Sequence, residues 1–206
     1  MRKTTESHQS MRNLAAFAGL SAVILFVAAL LVFATLDAEF QVLDDYVSEL
    51  GAKGKPFGLW FNLVGFLSVG LLLAVFGFAY GRILDDRVFG VLLVVFGLGF
   101  AMTAIPIEEH DGASGLSRAH ILAITLGLAA WMFALARMAH ITTVDAQVRR
   151  AANFAAGLFL LPMAGQLLQA WQMPLTHRLV FTVVFGWFLW TSVQLLSQRE
   201  LTTESG

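Results

Sequence analysis

Three histidines, His110, His120 and His177, fall among carboxylates and hydroxyls where the chain leaves its apolar stretches. His110 lies in the run Glu108-Glu109-His110-Asp111, and His120 follows ten residues later. A second acidic stretch, Asp44-Asp45-Tyr46-Val47-Ser48-Glu49, comes earlier. Imidazoles and carboxylates from several elements are what an oxygen/nitrogen zinc site requires: three protein ligands and an open water position. Zinc held this way lowers the pKa of its bound water and allows hydrolysis at neutral pH. On that reading His110, His120 and His177 are the metal ligands, and Ser48, Glu108 and Asp111 are the candidate catalytic groups. Against it, no compact motif such as His-Glu-x-x-His occurs in the chain. The plainer alternative makes His110 and His177 wet interfacial side chains, with His120 hydrogen-bonded to the preceding helix.

A membrane bundle must position these groups. Hydrophobic residues make up 58% of the 206 residues and charged residues 13%, against roughly 45–50% and about 25% in soluble domains. A soluble chain of this size could not hide so much apolar surface. Net charge is −1, so no basic surface argues for nucleic acid. The absence of cysteine removes disulfides, thiolate zinc sites and thiol nucleophiles together.

A bilayer core about 30 Å thick needs roughly 20 mostly apolar residues per helix. Six windows meet this, at 14–36, 57–80, 88–107, 118–139, 151–172 and 177–197. They predict an all-α six-transmembrane-helix bundle, since lipid admits only helices and closed barrels and these runs are too long for barrel strands. The expected domain spans 14–197, with tails at 1–13 and 198–206. The first run is too long for a signal-peptide core and reads as a retained helix. With the N-terminus inside, nine arginines and lysines fall on the cytoplasmic side and four on the other, which predicts cytoplasmic termini. The loops at 37–56, 108–117 and 173–176 then face out, and the three histidines share that side.

Small residues four apart (Ala15/Gly19, Gly70/Ala74, Gly77/Gly81, Gly97/Ala101, Ala123/Gly127) supply close-packing faces between helices. Trp60, Trp171, Trp187, Trp190 and Tyr80 fit interfacial belts, whereas Trp131 is deeper. In the first outer loop Phe40, Leu43, Val47 and Leu50 recur at helical spacing before Gly51. This predicts a short amphipathic helix over about 38–50, lying at the interface or over the bundle mouth. Ser117 is the expected N-cap of the fourth span.

Several of these landmarks resemble a known family. Tyr46-Val47-Ser48-Glu49-Leu50-Gly51-Ala52 follows the first span, and Asn62 lies just inside the second. Ile105-Pro106 ends the third span, an acidic Gly/Ser loop follows, and His120 opens the fourth. This pattern is similar to the domain-of-unknown-function 998 family of six-helix bacterial and archaeal membrane proteins, over roughly 14–197. The resemblance implies that fold and a bacterial or archaeal cell (inner) membrane, and it supplies no activity. The third-span exit, Ile-Pro-Ile-Glu-Glu-His-Asp, departs from the Phe-Pro-x-Asp expected there. The family's acidic position therefore falls on either Glu108 or Asp111.

Asn62, Thr103, Gln166 and Gln169 also fall in the outer half of their spans. Polar side chains at that depth are costly unless paired or facing water, so they are expected to line an outward-opening pocket. The reading that covers these features is a membrane protein whose outward pocket binds or acts on a lipid or other amphiphile. The alternatives are a metal-dependent membrane hydrolase and a non-catalytic scaffold or small-molecule transporter. Haem is disfavoured because His120 and His140 stand about 30 Å apart along one helix and lack enough facing ligands. Steep ion coupling is disfavoured because no charged residue lies mid-span.

Overall fold

The computed structural model describes residues 2–108, 113–142 and 144–203, with side chains described between 8 and 197. Glu109, His110 and Asp111 lie outside the described residues, so the expectations for them carry no geometry. The described chain is helical and contains no strand. Six long helices follow one another: α1 (Arg2–Leu36), α2 (Gly58–Ile83), α3 (Arg87–Met102), α4 (Gly115–Met138), α5 (Ala146–Leu167) and α6 (Met173–Thr203). Four helical segments are long and apolar enough to cross a membrane: His8–Leu36, Gly58–Ile83, Gly115–Met138 and Met173–Ser197. Two of the six expected windows fall short of that measure. The α3 helix has 16 residues, about 24 Å at 1.5 Å per residue, and α5 opens with Gln147, Arg149 and Arg150.

The small residues foreseen as packing faces are where the helices touch. A Cβ added at Gly70 would lie 2.3 Å from the Ala101 nitrogen, and one at Gly97 2.3 Å from the Ala74 nitrogen. Hence α2 and α3 meet backbone to backbone. Gly99 of α3 faces the Ala123 carbonyl and Gly127 of α4 in the same manner. Around this spine, Phe100 touches the rings of Phe26, Phe66, Phe96, Phe181 and Phe185 at centroid distances of 5.6 to 6.3 Å. Trp187, expected in an interfacial belt, is instead buried against Trp131 and Phe76. Tyr80 is buried as well.

At the end opposite the 37–56 loop, Asp86 caps α3 by accepting the Phe89 N–H at 2.9 Å. Its other oxygen takes Arg137 of α4 at 2.8 and 3.0 Å. Burial opposes ionisation of Asp86 most strongly. The Phe89 amide and the Arg137 guanidinium outweigh it, and the carboxyl stays below its usual range.

Three local expectations are corrected. The 38–50 segment is not one amphipathic helix: it runs as turns to Asp45, then a five-residue 3-10 helix, Val47–Gly51. Its aspartates compete with helix formation, since Asp37 accepts the Glu39 N–H and Asp45 accepts the Gln41 N–H at 2.7 Å. Val47 and Leu50 are buried, but Leu43 is 69% exposed. The α5–α6 connection occupies 168–172 rather than 173–176. There Gln169 takes a left-handed φ of 55°, and the Ala170 N–H reaches back to the Gly165 carbonyl at 2.9 Å, the bond of a helix-ending Schellman turn. Finally, Ser114 rather than Ser117 caps α4, its hydroxyl accepting the Ser117 N–H at 3.2 Å.

Candidate functional site

Helices α4, α5 and α6 are held together in mid-bundle by an aromatic layer. Trp131 meets Phe159 at 5.6 Å and Trp187 at 6.1 Å. Toward the 37–56 loop these helices enclose a cavity of about 750 Å³, well inside the range of about 300–1,000 Å³ typical of ligand pockets. On α4 its wall runs from Ser117 and His120 to Met132. The twelve residue steps from His120 to Met132 span about 18 Å of helix.

The lining is sorted along that length. The polar side chains gather at the loop end, Tyr46, Ser48, Glu49, Thr103, Glu108, Ser117, His120 and His177, with Val47, Ile107 and Met173 beside them. Deeper, the lining is Ile121, Ile124, Leu128, Met132, Phe159, Met163 and Val180, with Thr125 the one hydroxyl among them. Neighbouring contacts place the two imidazoles. His120, 7% exposed, has Nδ1 3.0 Å from the Ile105 carbonyl. A carbonyl only accepts, so Nδ1 is the donor in this bond. Phe66 braces the same imidazole edge-to-face at 6.0 Å. It is carried by a π-helical stretch, Asn62–Ser68, within α2, a local widening often found at functional sites. His177 packs against the Tyr46 ring at 5.2 Å and makes no hydrogen bond among the described residues.

The 37–56 loop forms the cavity's roof and is pinned from several sides. Arg178 of α6 donates to the Asp45 carbonyl at 2.6 Å and to the Pro174 carbonyl at 3.0 Å. Lys53 pairs with Glu108 at 3.0 Å, and its amide donates to the Ile107 carbonyl. Lys55 pairs with Asp37 at 3.1 Å. The hydrogen bonds and charges of these lysines hold the Glu108 and Asp37 carboxyls below their usual range. Burial, with the nearby Glu49 charge, pushes the Tyr46 phenol up, so it stays protonated at neutral pH.

Of the residues singled out from sequence, the structure gathers Ser48, Thr103, Glu108, His120 and His177 around one cavity. It puts three others elsewhere. Asn62 is buried and donates to the Gly51 carbonyl at 2.8 Å, stapling the roof to α2. Gln166 accepts from Thr176, which accepts from the Trp171 indole, tying α5 to α6. Gln169 is exposed in the turn after α5. Sequence reasoning missed Thr125, Met132 and Met163. The recurrence Ile121, Thr125, Ala129 on α4, facing methionines, was the available signal. Among the described residues no three His, Asp or Glu side chains cluster as a metal site.

These features define a helical membrane protein with an internal cavity that is polar at one end and apolar along its length. No curated protein and no solved structure matches the chain. Residues 20–194 match the family described as "Protein of unknown function (DUF998)", and the chain belongs to that family.

Proposed function

We propose that this protein binds a lipid or other amphiphile in the cavity beneath the 37–56 loop, head group at the loop end and chain along α4. One observation carries the reading: the lining changes from hydroxyl, imidazole and carboxylate to aliphatic and thioether over the cavity's length. That gradient matches a molecule with one polar end.

The reading includes six spans over 14–197, cytoplasmic tails at 1–13 and 198–206, and an outward-facing cavity in a bacterial or archaeal cell (inner) membrane. Arginine and lysine placement supports it, nine against four. Because the chain has no cysteine, single cysteines report cleanly. Val42→Cys, at an exposed position of the 37–56 loop, should react with an impermeant maleimide on intact cells and Thr142→Cys should not; the reverse pattern would overturn the orientation.

A second reading, metal-assisted hydrolysis with Ser48, Glu108 or Asp111 as a participating group, is favoured by the His120 bond. An imidazole whose Nδ1–H is held by a carbonyl is oriented as metal-ligating histidines are. His177 borders the same cavity, and His110 would complete the donor set from the adjoining loop. Zinc is the metal such donors suit.

One preparation separates the two. The purified wild-type protein is examined by native mass spectrometry for bound lipid and by elemental analysis for zinc. Bound lipid that falls in Leu128→Trp, which fills the cavity, is the expected result. Stoichiometric zinc that falls in both His120→Ala and His177→Ala would favour the hydrolase. Finding neither lipid nor zinc would sink both readings.

A further inference from the structure

Among the described residues, the cavity is covered at its polar end and open at its side. None of the polar lining residues at the loop end is exposed: Thr103, Ser117 and His120 are buried, and Tyr46, Ser48, Glu49, Glu108 and His177 are partly so. The exposed lining residues are Ile121, Thr125 and Ala129 on α4, with Met163 on α5 and Met173 at the start of α6. Ile121 is 54% exposed, Met163 38% and Met173 39%. Residues 121, 125 and 129 are four apart and so form one stripe along the helix face. The opening is therefore a seam running along α4 opposite α5 and α6. Two of its three walls lie in the segments Gly115–Met138 and Met173–Ser197, each long and apolar enough to cross a membrane.

We infer that the ligand is a bilayer lipid that enters sideways, its acyl chain sliding between α4 and α5 while its head group passes beneath the pinned roof. This rests on the amphiphile-binding reading and narrows it to a ligand delivered from the membrane rather than from water. The physical ground is solvation. A seam of isoleucine, threonine, alanine and methionine along span-length helices meets lipid chains, and an acyl chain crossing it never passes through water, where its apolar surface is poorly solvated. At the other end Arg178, Lys53 and Asn62 hold the roof by bonds to Asp45, Ile107 and Gly51. A water-borne route there would have to break several of these together.

The test uses the full chain in vesicles of phosphatidylethanolamine and phosphatidylglycerol. A nitroxide on Ala129→Cys should be relaxed more by oxygen, which concentrates in the bilayer, than by a water-soluble nickel chelate. A control label on Val42→Cys, in the exposed part of the loop, should show the opposite order. Thr125→Trp, which narrows the seam, should lower co-purifying phospholipid about tenfold while the far-ultraviolet helix signal is kept. If that variant fails to fold, the Ala129 label alone decides. Stronger relaxation by nickel at Ala129, with lipid still bound, would overturn lateral access and leave amphiphile binding intact. A label shielded from both relaxants would mean a protein surface covers the seam, which also overturns it. Wild-type protein that carries no lipid would instead remove the underlying reading.

Discussion

Replacing Gly97 with leucine should leave no assembled bundle. The Cβ alone would sit 2.3 Å from the Ala74 nitrogen, 2.7 Å from its Cα and 2.8 Å from the Gly70 carbonyl oxygen. These are backbone atoms of α2, so no rotamer change relieves the clash and the two helices must separate. Overpacking a well-packed core costs about 1–3 kcal/mol when side chains can move, and here they cannot absorb it. A loss above about 3 kcal/mol is a large share of the 5–15 kcal/mol that holds a typical domain. The site would go with the fold, because α2 carries Phe66 to the cavity wall and Thr103 lies there at the C-cap of α3. Gly186 is the control: a Cβ there meets nothing within 4 Å. Gly186→Ala should unfold at or slightly above the wild-type temperature, since alanine favours helix by up to about 1 kcal/mol. Wild-type thermal unfolding and a single size-exclusion peak for Gly97→Leu would show that this contact does not set the helix spacing.

Phe100→Ala should be the most damaging truncation in the core. The ring is fully buried and contacts five other aromatic rings, contributed by α1, α2, α3 and α6. In water-soluble proteins such a change costs about 3–5 kcal/mol. The low end, about 3 kcal/mol, is expected here. Unfolded helices in lipid still solvate the ring, so the lost packing remains as the main term. Phe26 and Phe181 rest on Phe100 and also line the cavity, so the same change should loosen the wall and weaken lipid retention. Phe100→Leu, which keeps most of the volume, should lose far less of both. Thermal unfolding in detergent, read beside native mass spectra, checks the pair. An unchanged midpoint for Phe100→Ala would mean that the aromatic cluster is not what holds α6 to the bundle.

What could be read from the chain alone followed from properties that do not depend on its path through space. Composition and the length of apolar runs place it among helical membrane proteins. Small residues four apart name the faces where helices pack, and Gly70, Gly97 and Gly127 are found at such contacts. The run 46–52, Asn62, Ile105-Pro106 and His120 were enough to recognise the family. Each of these signals is local or periodic, carried by one helix at a time.

The fate of each polar side chain was decided in three dimensions. Asn62, Gln166 and His120 looked alike in sequence, each a polar group near a span end. Asn62 met the Gly51 carbonyl, Gln166 met Thr176, and His120 met Ile105 with one nitrogen and the cavity with its ring. A hydrogen bond requires a partner within about 3 Å, and which group stands there depends on how distant segments pack. The 38–50 segment shows the same limit: its spacing is helical, but its aspartates found closer amides and Arg178 found the Asp45 carbonyl 133 residues away. The cavity itself belongs wholly to the tertiary structure. It exists because α4, α5 and α6 are held together at Trp131, Phe159 and Trp187 and leave space between them toward the loop. Such a space is a property of three helices at once, and no stretch of sequence encodes it alone.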